Sequence, residues 1–300
     1  MFLGPFLFVS APSAACAEGE QCDPGLKVQL SASEVLQGDL VQVEFRSKRP
    51  LTEISGGWQE RTVLFWKVLP EASNSQEGAT VWRGLLGVDL ENSTGRYELV
   101  VTAKGTDGNL VSCKMSLAVS KRIFATERLQ VQQQFVEPSP EQLERSNRER
   151  QRLRTIFDTT TPEKLWDGPF RIPLDGVPTG GNFGKRRVLN GQAGSPHTGV
   201  DFPSPAGTPV RASQRGRVVL AEELFFSGNT VVLDHGFGIY TFYGHLSEID
   251  VKPGDLLDPG ATLGKVGSTG RVTGPHLHWG LTVERARVDP LKLVHLSTAN

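Results

Sequence analysis

Short runs of alternating apolar and polar residues fill the stretch from about 26 to 120. Val41, Val43 and Phe45 are parted by Gln42 and Glu44, and Tyr97, Leu99 and Val101 repeat the spacing. A period of two puts successive apolar side chains on one face of a strand. Val63 to Trp66 is a compact apolar run, Gly105-Thr106-Asp107-Gly108 reads as a hairpin turn, and Leu110 to Val119 supplies a further strand. Repeated short strands with turns predict a β-sandwich. Trp66 and Trp82 are expected to pack inside it, the alternative being an aromatic platform for carbohydrate.

The pattern changes near residue 138. Residues 121 to 137 connect with some β character, and then Ser139-Pro140-Glu141-Gln142 carries a helix start. Ser139 is the N-cap, Pro140 the first helical residue and Gln142 the partner in a capping box. Leu143 to Thr155 is charged, with Leu143 and Leu153 as its few apolar positions. A helix this polar is expected to bridge two domains with one narrow stripe buried. Its arginines Arg148, Arg150, Arg152 and Arg154 are interleaved with glutamates and no aromatics, which argues against a nucleic-acid surface. From about 168 glycine is dense and strands resume at Arg217 to Ala221, Asn229 to Asp234 and Ile239 to Tyr243. The expected architecture is mainly β: a signal-like segment over 1–17, a sandwich over 18–137, a polar linker helix and connector over 138–167, and an antiparallel β-sheet domain over 168–300.

Composition narrows the class. With 38% hydrophobic and 22% charged residues the 300-residue chain is an ordinary globular one, and its net charge of −1 offers no case for nucleic acid or an anionic membrane. The first residues, ending Pro12-Ser13-Ala14-Ala15-Cys16-Ala17, are an apolar run followed by small residues, as at the end of an export signal. The missing basic stretch before that run points to a start further upstream. Cleavage after Ala17 would remove Cys16 and leave Cys22 and Cys113, an even pair suited to a disulfide in an oxidising compartment. Lipidation of Cys16 is the less favoured alternative. No segment is long and apolar enough to be expected to span a bilayer.

The chemistry is concentrated in the last third, which holds five of the chain's six histidines. His197 and Asp201 lie in H-T-G-V-D, where proline and glycine argue for a loop entering a strand rather than a helix. His276 and His278 flank Leu277; in a strand both imidazoles face one side and Leu277 the other. Imidazole and carboxylate are natural zinc ligands, and two His with one Asp leave a fourth position for water. His245 follows the strand ending at Tyr243 and is a candidate electrostatic partner. His235 reads as a turn residue, and His295 has no evident role.

These residues, with the fragments Y-G-H-L (Tyr243 to Leu246), V-G-S-T-G-x-x-T-G-P-H-L-H-W (Val266 to Trp279) and N-F-G-K-R-R (Asn182 to Arg187), resemble the lysostaphin-type (LytM-like) zinc metallopeptidases over about 168 to 294. The preceding part is similar to the N-terminal region of some Gram-negative members. The resemblance implies a zinc endopeptidase acting on peptidoglycan peptides, in the periplasm or secreted. By it, His197, Asp201 and His278 would bind Zn2+, His276 would be the general base, and His245 would stabilise the anionic intermediate. A non-catalytic regulator of a cell-wall amidase is the alternative, and a metal-free carbohydrate-binding module a more distant one. The first is countered by the complete set of five residues. No regulatory partner is identifiable.

Overall fold

The computed structural model describes residues 17–18, 21–68, 80–176 and 181–298. The signal-like segment therefore lies outside the described residues, apart from Ala17. Among them, no helix is long and apolar enough to cross a membrane.

The N-terminal strands Leu26–Leu30, Leu40–Ser47, Thr80–Gly87, Arg61–Val68, Leu51–Trp58, Gly95–Gly105 and Leu110–Ser120 lie side by side in that order, each antiparallel to the next. The sheet folds over on itself. Val41, Val43 and Phe45 from one half meet Leu99, Val101, Met115 and Leu117 from the other, and all are buried in one core. The period-two pattern thus does what a sandwich requires, since each strand commits one face inward. Cys22 and Cys113, directly paired on adjacent strands, are bonded beside this core, closing a sequence separation of 91 residues.

The helix Pro140–Asp158 begins as its sequence dictates: Ser139 Oγ accepts from Gln142 N, and Gln142 Oε1 accepts from Ser139 N. Its buried stripe differs from the expected one. Leu143 is 50% exposed, whereas Leu153, Ile156 and Phe157 pack on Leu220, Leu224, Val232 and Tyr240. Glu149 is buried too, because both its oxygens are used: Oε1 accepts from Arg145 Nε (2.7 Å) and Oε2 from Phe225 N (2.8 Å). Paired in this way, a buried carboxylate costs little.

The C-terminal sheet runs Gly199–Pro203, His276–Val283, Ile239–Ile249, Gly228–Asp234, Gly216–Leu224 and Leu256–Leu257, again antiparallel. Val200, Phe202, Leu277 and Trp279 face its core with no exposure. Two contacts fix this sheet to the sandwich. Trp66 packs edge-on against Trp166 and Phe237, within an apolar cluster that joins Leu40 and Leu85 to Ile239, Val283 and Ala286. Arg287 forks onto both oxygens of Asp89 at 2.9 and 2.7 Å. Trp66 is thus a packing residue, but between the two sheets rather than inside one. Between sandwich and helix, the connector strand Thr126–Leu129 pairs in parallel with Arg186–Leu189 of the C-terminal half.

Candidate metal centre

Asp201 and His278 are directly paired residues of the adjacent strands Gly199–Pro203 and His276–Val283. Alternation then puts His276 on the same face as His278, while Leu277 enters the core on the other side, as the sequence predicts. His197 sits just before the first strand and swings its ring over the same face. Only glycine is tolerated at 199: an added Cβ would lie 2.4 Å from the Trp279 carbonyl and 2.8 Å from the His278 ring.

Three donor atoms meet here in an equilateral triangle. His197 Nε2 is 2.9 Å from Asp201 Oδ1, His278 Nδ1 is 2.9 Å from the same oxygen, and the two nitrogens are 2.9 Å apart. His197 spends its Nδ1–H on the Asn182 carbonyl at 2.9 Å, so its Nε2 brings a lone pair to the triangle. Three acceptor atoms converging with at most one ring proton among them are electron-rich, and a dication completes them. Atoms this close together can all bind one zinc ion at ordinary ligand distances of ~2.0–2.1 Å. His197, Asp201 and His278 are the group among the described residues that could hold a metal.

The electrostatics agree with that use. Burial would raise the Asp201 pKa, but the close approach of the His197 and His278 rings outweighs it and holds the carboxyl far below its usual range. Burial pushes His278 down to about 4, against the pull of Asp201. Both groups are therefore in their metal-binding forms at neutral pH.

Two further rings flank the triangle. His276 donates Nδ1–H to the Gly274 carbonyl (2.8 Å) and brings Nε2 to 3.7 Å from Asp201 Oδ1. His245 donates Nδ1–H to the Thr269 carbonyl (2.8 Å), and its ring centre is 4.8 Å from that of His276. Each ring thus keeps Nε2 free as an acceptor. Burial, with His278 and His276 nearby, pushes His245 down to about 3. The strand that carries His245 does not end at Tyr243; it runs on to Ile249, and His245 adopts φ +63° where the pairing register shifts. Such a conformation is costly for a residue with a Cβ, and it aims the ring at the metal triangle.

His235 belongs elsewhere. It is fully buried behind the sheet, with Nδ1 donating to the Arg215 carbonyl (2.8 Å) and Nε2 accepting from Thr241 Oγ1 (2.7 Å). Sequence reasoning assigned no role to Asn182 and Arg187, although both lie in the N-F-G-K-R-R fragment. Asn182 Nδ2 (3.1 Å) and an Arg187 guanidinium nitrogen (3.0 Å) donate to Asp201 Oδ2, which leaves Oδ1 for the triangle. Asn182 Oδ1 also accepts from the Asp201 backbone N at 2.9 Å. These outer contacts fix the orientation of the Asp201 carboxylate, as expected around a metal ligand.

Residues 195–290 match the family model described as Peptidase family M23. The peptidoglycan DD-endopeptidase ShyA of Vibrio cholerae serotype O1 is 47% identical over 98 residues, covering 33% of this chain and 23% of that protein. The DD-carboxypeptidase/endopeptidase Mpg of Neisseria meningitidis serogroup B is 41% identical over 97 residues, covering 32% and 22%. The matched part thus spans under a quarter of the length of either relative. A crystal structure from Pseudomonas aeruginosa, solved as a candidate M23 peptidase, superposes with a TM-score of 0.60 at 29% identity, covering 86% of this chain and 94% of that one. That likeness extends over the sandwich as well as the C-terminal sheet.

Proposed function

We propose that this chain, which belongs to peptidase family M23 through its C-terminal domain, is a zinc endopeptidase that hydrolyses peptide bonds in peptidoglycan stem peptides or cross-links. The observation that carries the reading is the triangle of His197, Asp201 and His278 with two acceptor imidazoles beside it. The names of the relatives, a peptidoglycan DD-endopeptidase and a DD-carboxypeptidase/endopeptidase, support the substrate class.

When bound, a zinc ion supplies Lewis acidity and brings the pKa of a water molecule down to about 7. His197, Asp201 and His278 would hold it, with Asn182 and Arg187 keeping Asp201 in place. His276 takes the water's proton at Nε2, because the Gly274 carbonyl already occupies its Nδ1–H. After it has taken a proton, the same ring is the acid that protonates the leaving amine. His245 acts on the oxyanion. Its neutral ring has no proton at Nε2, so it donates to the anion only after that nitrogen takes a proton from solvent, an uptake that the negative charge developing beside it favours. Such help is specific to the transition state.

The domains divide the work accordingly: residues 168–300 hydrolyse, and 18–137 form a fixed sandwich coupled through the linker. Export to the periplasm fits the cell-wall substrate and the signal-like first residues. A non-catalytic regulator is disfavoured, since all five chemical residues are present and stand together on one face. Mass spectrometry of cross-linked muropeptides treated with the zinc-loaded protein tests the proposal. Cleavage by the wild type and its loss in His276→Ala are expected; intact muropeptides with both would refute it.

A further inference from the structure

Two cavities, of about 300 and 270 Å³, open on the metal site, and both are lined by Arg187, His245 and Arg271. Three arginines line the larger cavity and no acid does. Two of these cations are committed: Arg187 to Asp201 Oδ2 and Arg287 to Asp89 and Glu91. Glu127 and Asp201, the acids lining the smaller cavity, are likewise engaged, Glu127 by Lys185 at 3.0 Å. Arg271 is different. Among the described residues no carboxylate or carbonyl accepts from its guanidinium, which lies 4.7 Å over the Phe226 ring. Burial and the neighbouring Arg187 push it down to about 10, so it remains cationic at neutral pH.

The backbone that presents this cation is held in place. Arg271 N donates to the Phe226 carbonyl at 2.8 Å. Gly270 before it has φ +74°, and an added Cβ there would lie 2.4 Å from Gly228 N. Phe226 in turn packs edge-on against Phe225 at 4.7 Å. A half-buried guanidinium with no anionic partner is costly to maintain unless something anionic arrives to meet it. Its planar fork suits a carboxylate in particular.

We propose that Arg271 selects substrates by binding a free carboxylate adjacent to the scissile bond, an inference that rests on the endopeptidase reading. The carboxylate could come from the end of the peptide or from the side chain of a neighbouring residue. Both present the same planar anion.

The test uses synthetic cross-linked stem peptides in three forms: all carboxylates free, the terminal carboxylate amidated, and the side-chain carboxylate amidated. KM and kcat are measured for the wild type, Arg271→Gln and Arg271→Lys. For the wild type, one of the two amidations should raise KM by about 10- to 100-fold, the worth of a charge-assisted hydrogen bond, with kcat little changed. Arg271→Gln should raise KM by a similar factor on the free form and become indifferent to that amidation, while Arg271→Lys recovers part of the loss. Equal handling of all three peptides by the wild type would overturn the proposal without touching the endopeptidase reading. So would an equal fall in kcat across the set for Arg271→Gln. Failure of the wild type to cut any form would count against the endopeptidase reading. In that event fluorescence anisotropy with labelled versions of the same peptides decides on Arg271, because binding insensitive both to amidation and to Arg271→Gln overturns its role.

Discussion

Asn182→Ala isolates the contribution of the contacts behind the metal triangle. The side chain is neutral, so its removal leaves the charge of the site unchanged, and the carbonyl that orients His197 belongs to the backbone and survives. What is lost is a two-way strap on Asp201: Nδ2 to Oδ2 at 3.1 Å and the Asp201 N–H to Oδ1 at 2.9 Å. Hydrogen bonds of this kind contribute about 1 kcal/mol each. Loss of an outer-shell partner typically weakens metal binding by about 10- to 100-fold, or roughly 1.4–2.7 kcal/mol, and the two estimates agree. Arg187 still grips Oδ2 at 3.0 Å, which limits how far the carboxylate can swing and places the expected loss near the tenfold end. A competition titration of zinc against a chromogenic chelator, at fixed pH and salt, measures the change, with near-ultraviolet circular dichroism reporting the fold. An affinity within twofold of wild type in a folded variant would refute the argument that Asp201 depends on this strap.

Other outcomes separate the remaining roles. His278→Ala should lose stoichiometric zinc, whereas His245→Ala should keep it and lose about 10²-fold in turnover; equal zinc loss in both, by metal analysis, would overturn the division. His235 titrates at about 4 in the fold because burial disfavours its charged form, against an ordinary 6.5. The unfolded chain therefore takes up that proton first, and stability should fall by roughly 3 kcal/mol as pH drops from above 6.5 to below 4. Urea unfolding of the chelator-treated protein across this range should show the slope, and His235→Gln should reduce it by that amount, leaving the part that His278 and His245 contribute with the same sign. Leu277→Ala should cost about 2–5 kcal/mol by thermal or urea unfolding, yet retain zinc, since its side chain points away from both neighbouring imidazoles.

The chemistry proved more legible than its support. Alternation alone put His276 and His278 on one face and Leu277 on the other, and the capping residues fixed the start of the helix. Both are local consequences of backbone geometry. The role of Asn182 depends on a fold-back onto a strand 19 residues later, and no local signal marks it. Nor does spacing reveal that His245 occupies a positive-φ kink within a continuing strand, since such backbone strain is imposed by surrounding packing. His235 follows a strand and precedes glycine, which reads as a turn; burial comes from Phe170, whose ring stands 5.1 Å away and belongs to a distant segment. On the helix, Leu143 looked like the apolar stripe, but Glu149 took a buried place because Phe225 N offered it a partner.

The parallel pairing of Thr126–Leu129 with Arg186–Leu189 bears on how this molecule can be cut down. Glu127, Leu129 and Val131 from that connector line the smaller cavity beside His276, and Glu127 anchors Lys185 two residues before Arg187. A fragment starting at the helix would discard the sandwich and, with it, one bank of its own cleft. The C-terminal half borrows a wall from the segment that tethers it.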